Sequence, residues 1–167
     1  MNIKQITDLL SSQTSYVNAL DALRDLVDED NKVKYLGSGI NSEVFKINSR
    51  TVVKVSDNTS KENCYALPVI LHKRNEKFRD YLEPHRHFTR TDSFVFAFQR
   101  AGDADVRHDF ESMSCAEYDK IREMKDELYD REGVIEPSPQ HSDDRTKLDL
   151  HSDNLARFDD GVKFFDW

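Results

Sequence analysis

The sequence predicts an α+β fold, and three observations carry that prediction. Apolar residues recur at helical spacing through the first thirty positions, and the period drops to two from Val33 onward. A second long helical pattern then precedes a closing β-hairpin. With 167 residues there is enough chain for one domain of ordinary size and a small appendage. The expected organisation is a helical hairpin at 1–32, a sheet-bearing lobe at 33–102 and a much reduced second lobe at 103–167.

The opening helices follow from two stripes. Ile3, Ile6, Leu9 and Leu10 form one, and Val17, Leu20, Leu23, Leu26 and Val27 form the other. Residues 11–15, rich in Ser and Thr, supply a break and N-caps for the second helix, which the acidic run 28–31 ends. Short strands are expected at 33–36, 44–47 and 51–55, where β-branched and aromatic residues alternate with polar ones. Gly37 to Gly39 separates the first two and residues 48–50 the others, so they read as an antiparallel meander. Residues 61–77 read as a helix with Pro68 inside it, which requires a kink or a later start. Two more strands, 87–90 and 94–98, flank a turn at 91–93, and residues 99–102 read as a connector. The pattern at 115–131 is a helix whose inner face is expected to hold Tyr118, Ile121, Met124, Leu128 and Tyr129. Residues 133–145 read as a loop, and strands at 155–158 and 162–165 close around Asp159, Asp160 and Gly161.

Composition narrows the function classes. A net charge of −8 argues against a nucleic-acid backbone as partner, because that role needs a basic face. The two cysteines, Cys64 and Cys115, form no C-x-x-C pair and are expected as reduced thiols in a cytoplasmic protein. No apolar run approaches the roughly 20 residues of a membrane span, so no membrane partner is expected.

Three groups of residues carry chemistry. Gly37-x-Gly39 stands between two strands with Val44 downstream, and Ser42 occupies a position where a third glycine would complete the motif. Glycines there let backbone N–H groups approach a polyphosphate that side chains would obstruct. Next, Lys54 interrupts the apolar strand 51–55, with Glu62 and Glu76 both candidates for a partnering carboxylate. Last, Asp149 is followed by Asn154 and, across the closing hairpin, by Asp166. A carboxylate and an amide oxygen, completed by water and phosphate, suit a hard cation such as Mg2+. An alternative is a transition-metal cluster of Asp149, His151 and Asp153 alternating on one strand face, although no second group of histidines accompanies it. His85 and His87, near Pro84, read as exposed turn residues.

Taken together, Gly37, Gly39, Val44, Lys54, Asp149, Asn154 and Asp166 resemble the protein-kinase-like superfamily. The run Asp149-Leu150-His151-x-x-Asn154 with Asp166-Trp167 is similar to the aminoglycoside and choline phosphotransferase branch. The opening at Tyr35-Leu36-Gly37-Ser38-Gly39 also resembles compact serine/threonine kinases of tailed phages. The resemblance implies a kinase-like N-lobe of antiparallel sheet plus helix, and a C-lobe that ends at the metal-binding Asp166. It implies ATP with its adenine near Gln99, phosphates against Gly37, Gly39 and Val44, and Lys54 on the α- and β-phosphates, held by Glu62 or Glu76. Asp149 would orient the attacking hydroxyl, and Asn154 and Asp166 would bind Mg2+. The pair preceding Asp149 is Lys147-Leu148 where protein kinases carry His-Arg, and no activation segment is present.

The expected function is transfer of the ATP γ-phosphate to a protein serine or threonine hydroxyl, in the cytoplasm, or a host's cytoplasm if the origin is a phage. A protein partner is favoured because the small-molecule branch binds substrates on large helical insertions that do not fit here. The alternatives are a catalytically reduced module that binds nucleotide or inhibits a protein, a small-molecule phosphotransferase, and a fragment of a longer kinase.

Overall fold

The computed structural model describes residues 1–30, 33–39, 42–57, 82–102, 113–132 and 155–164. The expected helix at 61–77 and loop at 133–145 lie outside them. The chain divides into two compact units, one of residues 1–62 with 85–101 and the other of 63–84 with 102–167. The fold class is α+β, with a five-stranded antiparallel sheet and two helices in the first unit and a helix and a two-stranded hairpin in the second. Among the described residues, no helix is long and apolar enough to cross a membrane.

The first unit starts with α1 (Ile3–Ser11) and α2 (Tyr16–Asp30). Asn2 caps α1 through a reciprocal pair: its side chain accepts from the Gln5 backbone N–H at 2.9 Å, and its own N–H donates to Gln5 Oε1 at 3.0 Å. Ser15 caps α2 by accepting from Asn18 N–H at 3.2 Å. The buried stripe of α2 comprises Ala19, Leu20 and Leu23, with Tyr16, Leu26 and Val27 packed beside it. Val17, expected in that stripe, is 61% exposed. On a helix, 16, 19, 20 and 23 cluster about one line, and 17, although three residues before 20, lies on the flank of that stripe, farther from 19 and 23 than 16 is.

Five strands follow: β1 (Lys34–Gly39), β2 (Ser42–Asn48), β3 (Thr51–Ser56), β4 (Arg86–Arg90) and β5 (Val95–Arg100). They form one antiparallel sheet in the order β1-β2-β3-β5-β4. The ladders run further than the alternation predicts. Gly37 and Gly39 belong to β1, paired with Val44 and Ser42, and Gln99 and Arg100 belong to β5, paired with Val52 and Thr51. The backbone can ladder through glycine, so Gly37 to Gly39 extends β1 rather than only separating it from β2, and Gln99 and Arg100 extend β5 into the segment expected as a connector.

The two helices cover one sheet face. Phe45, Ile47, Val53, Val55, Phe94, Phe96 and Phe98 from the strands share a core with Ile6, Leu10, Ala19, Leu20 and Leu23. The helix pair is also tied down by polar contacts. The N-terminal ammonium donates to Ile47 O at 3.1 Å, Asn48 Nδ2 donates to Met1 O at 3.0 Å, and Ser93 Oγ donates to Thr14 O at 3.1 Å. Strand β4 carries an irregularity between Arg86 and Thr89, where His87 adopts φ 51°. His87 is exposed as expected, whereas His85 is buried at 4% exposure. His85 directly precedes β4, whose own residues are exposed or half-buried, and it is itself buried at the strand's start, which corrects its assignment to an exposed turn.

The second unit contains α3 (Cys115–Glu132) and the hairpin of β6 (Leu155–Phe158) and β7 (Gly161–Phe164). The aspartates at the hairpin turn keep negative φ while Gly161 takes φ +120°, a conformation that favours glycine. Ile121 faces the interior of the unit as expected, but Tyr118 is 42% exposed. The side chains of Met124, Leu128 and Tyr129 lie outside the described residues.

Helix α3 opens on a second reciprocal cap. Ser114 N–H donates to Glu117 Oε2 at 2.9 Å, and Glu117 N–H donates to Ser114 Oγ at 3.3 Å. Glu117 Oε1 accepts from Arg157 Nη1 at 2.6 Å, which joins the start of α3 to β6. The Ser114 backbone N–H holds the Glu117 carboxyl below its ordinary value; the Ser114 hydroxyl and Arg157 act in the same direction, against the effect of burial. A lowered carboxyl contributes stability that is complete above its unfolded-state value and is lost as pH falls through its folded-state value. Ser114→Ala is therefore expected to raise the Glu117 titration only part of the way to the ordinary range, since the backbone N–H survives. Carboxyl-detected NMR titration checks this, and an unchanged midpoint would contradict the cap.

Candidate functional site

Cross-strand register decides which of the expected site residues meet. Directly opposed residues of an antiparallel pair share a face. Gly37 opposes Val44, Val44 opposes Lys54, and Lys54 opposes Ala97, so these four form one row across β1, β2, β3 and β5. The row lies on the face opposite Phe45, Val53 and Phe98, hence opposite the side that α1 and α2 cover.

A bulge at Leu36 makes this row possible. Tyr35 opposes Phe45 and Gly37 opposes Val44, so two steps on β1 match one step on β2. Tyr35 stays on the helix-covered face, 43% exposed, its ring 5.4 Å from that of Phe45. Gly37 crosses to the other face. No described atom comes within 4 Å of where a Cβ on Gly37 would sit, and its φ is not positive. Neither packing nor backbone conformation within the described residues demands glycine here. What the glycine provides is open space beside Val44, at one end of the row that Lys54 occupies.

Two neighbouring rows share the face. Lys46, Val52 and Gln99 form one, and Gly39, Ser42, Ser56 and Val95 form the other. Each stands two residues from the Lys54 row, about 7 Å along the strands. Lys54 is 8% exposed, Gln99 5%, Ser42 6% and Ser56 0%. The structure thus brings Gly37, Gly39, Val44, Lys54 and Gln99 onto one face of one sheet. It adds Ser56 and Ala97, which motif spacing missed. Alternation from Lys54 would have placed Ser56 on the same face, and Ala97 emerges only from the register of β5. A lysine, two hydroxyl-bearing residues and a glycine-bearing strand pair make this face suited to an anionic, phosphate-rich ligand.

In the second unit, the hairpin frames the metal candidates by chain connectivity alone. Asn154 runs directly into β6, and Asp166 follows two residues after β7. Leu155 opposes Phe164 at the open end of the hairpin. Leu82 bridges to Phe164 in parallel sense, and Glu83 N–H donates to Phe164 O at 2.7 Å. Lys163 Nζ pairs with Asp160 Oδ2 at 2.8 Å across the turn. A Cβ on Gly102 would lie 2.8 Å from Ala156 Cβ and 2.8 Å from Phe158 Cζ, so the chain approaches β6 closely where any side chain would displace it. Asp149, Asn154, Asp166, Glu62 and Glu76 lie outside the described residues, as do His151 and Asp153 of the alternative metal cluster. Among the described residues, no group of three or more His, Cys, Asp or Glu gathers to hold a metal ion.

The class these observations define is an α+β chain whose first unit carries a five-stranded antiparallel sheet with a buried lysine. No protein-family model matches the sequence, and no curated protein matches it. Among solved structures, the chain is similar to the GDP complex of wild-type aminoglycoside 2'-phosphotransferase-IIIa, at 10% identity and a TM-score of 0.44. That similarity covers 92% of this chain and 72% of the other.

Proposed function

We propose that this protein is a minimal kinase-like phosphotransferase that moves the γ-phosphate of ATP to a serine or threonine hydroxyl of a protein. The observation that carries the reading is the row of Gly37, Val44, Lys54 and Ala97, with a buried lysine in register with the glycine-bearing strand pair. A lysine withdrawn from water in the middle of a sheet is costly unless an anion or hydrogen-bond acceptor meets it. Lys54 would hold the α- and β-phosphates, and Gln99, one row away, would lie towards the base. Glu62 or Glu76 would orient Lys54.

Asp149 would accept the proton of the attacking hydroxyl. The new bond joins that oxygen to the γ-phosphorus as the bond to the β–γ bridging oxygen breaks, and ADP leaves. Asn154 and Asp166 would hold Mg2+, for which an amide oxygen and a carboxylate are a fitting donor pair. The ion, when bound, neutralises phosphate charge. The protein acceptor rests on the resemblance to compact serine/threonine kinases.

The test is incubation of the protein with labelled ATP and Mg2+, alone and with cell lysate, beside Asp149→Ala and Asp166→Asn. Label should pass to protein hydroxyls with the wild type only, and chelation of Mg2+ should abolish it. Nucleotide binding with no transfer above the variants would replace the enzyme by a binding module. Label appearing only on small molecules would overturn the protein substrate.

A further inference from the structure

The helix pair does more than cover the sheet. Its one charged contact with the glycine-bearing strands is Arg24 Nη2 to Glu43 Oε1, at 2.6 Å, among the described residues. Glu43 adjoins Val44 and opposes Ser38, which stands between Gly37 and Gly39. Its side chain is 13% exposed, and its second oxygen, Oε2, is buried with no hydrogen-bond partner among the described residues. Arg24 is therefore the group that satisfies a carboxylate largely removed from water. Nearby, burial and then the Glu43 carboxylate push the Tyr16 phenol up to about 12, with Arg24 opposing them, so Tyr16 stays a neutral neighbour. The other end of the helix pair is anchored independently of this contact, through Met1 to Ile47, Asn48 to Met1 and Ser93 to Thr14. A fixed helix pair thus grips the strand pair at the residue beside Val44.

We infer that Arg24 is a positioning residue for the nucleotide site: through Glu43 it holds the glycine-bearing strands in the register that keeps Gly37 and Val44 beside Lys54. Without Arg24, the Glu43 carboxylate has no counter-charge among the described residues, and turning towards water recovers its solvation. Glu43 sits on a two-strand edge whose outer member, β1, is paired on one side only. That edge is the part of the sheet free to follow it. The inference rests on the nucleotide reading of the preceding section.

The experiment measures the dissociation constant of a fluorescent ATP analogue with Mg2+, and KM and kcat where transfer is observed. Arg24→Gln and Glu43→Gln should each weaken nucleotide binding by about five- to tenfold, the scale of one charge-assisted hydrogen bond. KM for ATP should rise with kcat little changed. The exchanged pair Arg24→Glu with Glu43→Arg should recover most of the loss. Asp21→Asn, which removes the other, exposed partner of Arg24 at 3.4 Å, should leave affinity unchanged. Thermal midpoints measured alongside separate positioning from unfolding.

If the wild type binds nucleotide and Lys54→Met does not, while Arg24→Gln and Glu43→Gln bind like the wild type, the positioning role is overturned and the nucleotide site stands. A wild type that binds no nucleotide overturns both. Loss of affinity in Asp21→Asn equal to that in Arg24→Gln would assign the effect to α2 alone and also overturn the role of Glu43.

Discussion

Lys54→Met is expected to keep the sheet folded while lowering phosphoryl transfer by about a hundred- to a thousandfold, the usual consequence of losing one preorganised donor to developing charge. Methionine matches the length of lysine and suits a position that is 8% exposed, between Val44 and Ala97 in the row. Removing one member of a buried polar contact leaves its partner uncompensated, so some stability is lost, although the apolar replacement packs in the space the lysine stem occupied. The fold should persist at the assay temperature while activity collapses. That divergence is the diagnostic result. A variant that is unfolded at that temperature would make Lys54 a structural residue, and one that retains transfer would remove it from the phosphate site.

The largest effect on stability is expected at Phe96. Its side chain is fully buried, with ring centroids 6.1 Å from Phe94 and 6.0 Å from Phe98. These three alternate along one face of the β4–β5 region and meet Leu20 and Leu23 of α2 in the shared core. Truncation to alanine removes a ring from the middle of this row, where rigid strands on either side limit collapse. The expected cost is about 3–5 kcal/mol, read from the shift of the urea midpoint of the transition that reports the first unit. Val17→Ala, at a site 61% exposed, serves as the comparison and should stay within about 0.5 kcal/mol. Equal effects at the two positions would mean that the aromatic row is not the keystone of that core.

How far the sequence could be read depended on how many residues a feature needs to declare itself. Strands β2, β3 and β5 are dense in β-branched and aromatic residues, so their existence was evident, but their near-continuous apolar runs do not say which face meets the core. The glycine-bearing strands and Lys54 were legible as a motif, and the register places them in one row. Other features hinge on a single residue. Nothing in the pattern separates Tyr16 from Val17 as the one turned inward, because both are apolar and one helical step apart. Gln99 looked like connector because polar residues follow the aromatic run, yet it continues the alternation of β5. Tyr118 matched the helical spacing of the α3 interior, but that spacing does not say how far the inner face extends. The caps Asn2-x-x-Gln5 and Ser114-x-x-Glu117 have a spacing that marks a helix start, but the apolar stripes alone set the expected helices and the caps emerged from the structure. Ser56 and Ala97 belong to the candidate site only through pairing across strands, which a linear pattern cannot contain.

Leu36 is the residue whose presence matters most and whose chemistry matters least. Its side chain is 46% exposed, and it is the unmatched position between Tyr35 and Gly37. It acts on the sheet as a one-letter insertion acts on a reading frame, changing the phase of everything that follows. Counted by twos from Tyr35, the glycines would belong to the greasy side beneath the helices; with the extra letter they belong to the chemical side. Among related chains, the identity at this position should therefore drift freely while the count of residues from the tyrosine to the lysine is kept.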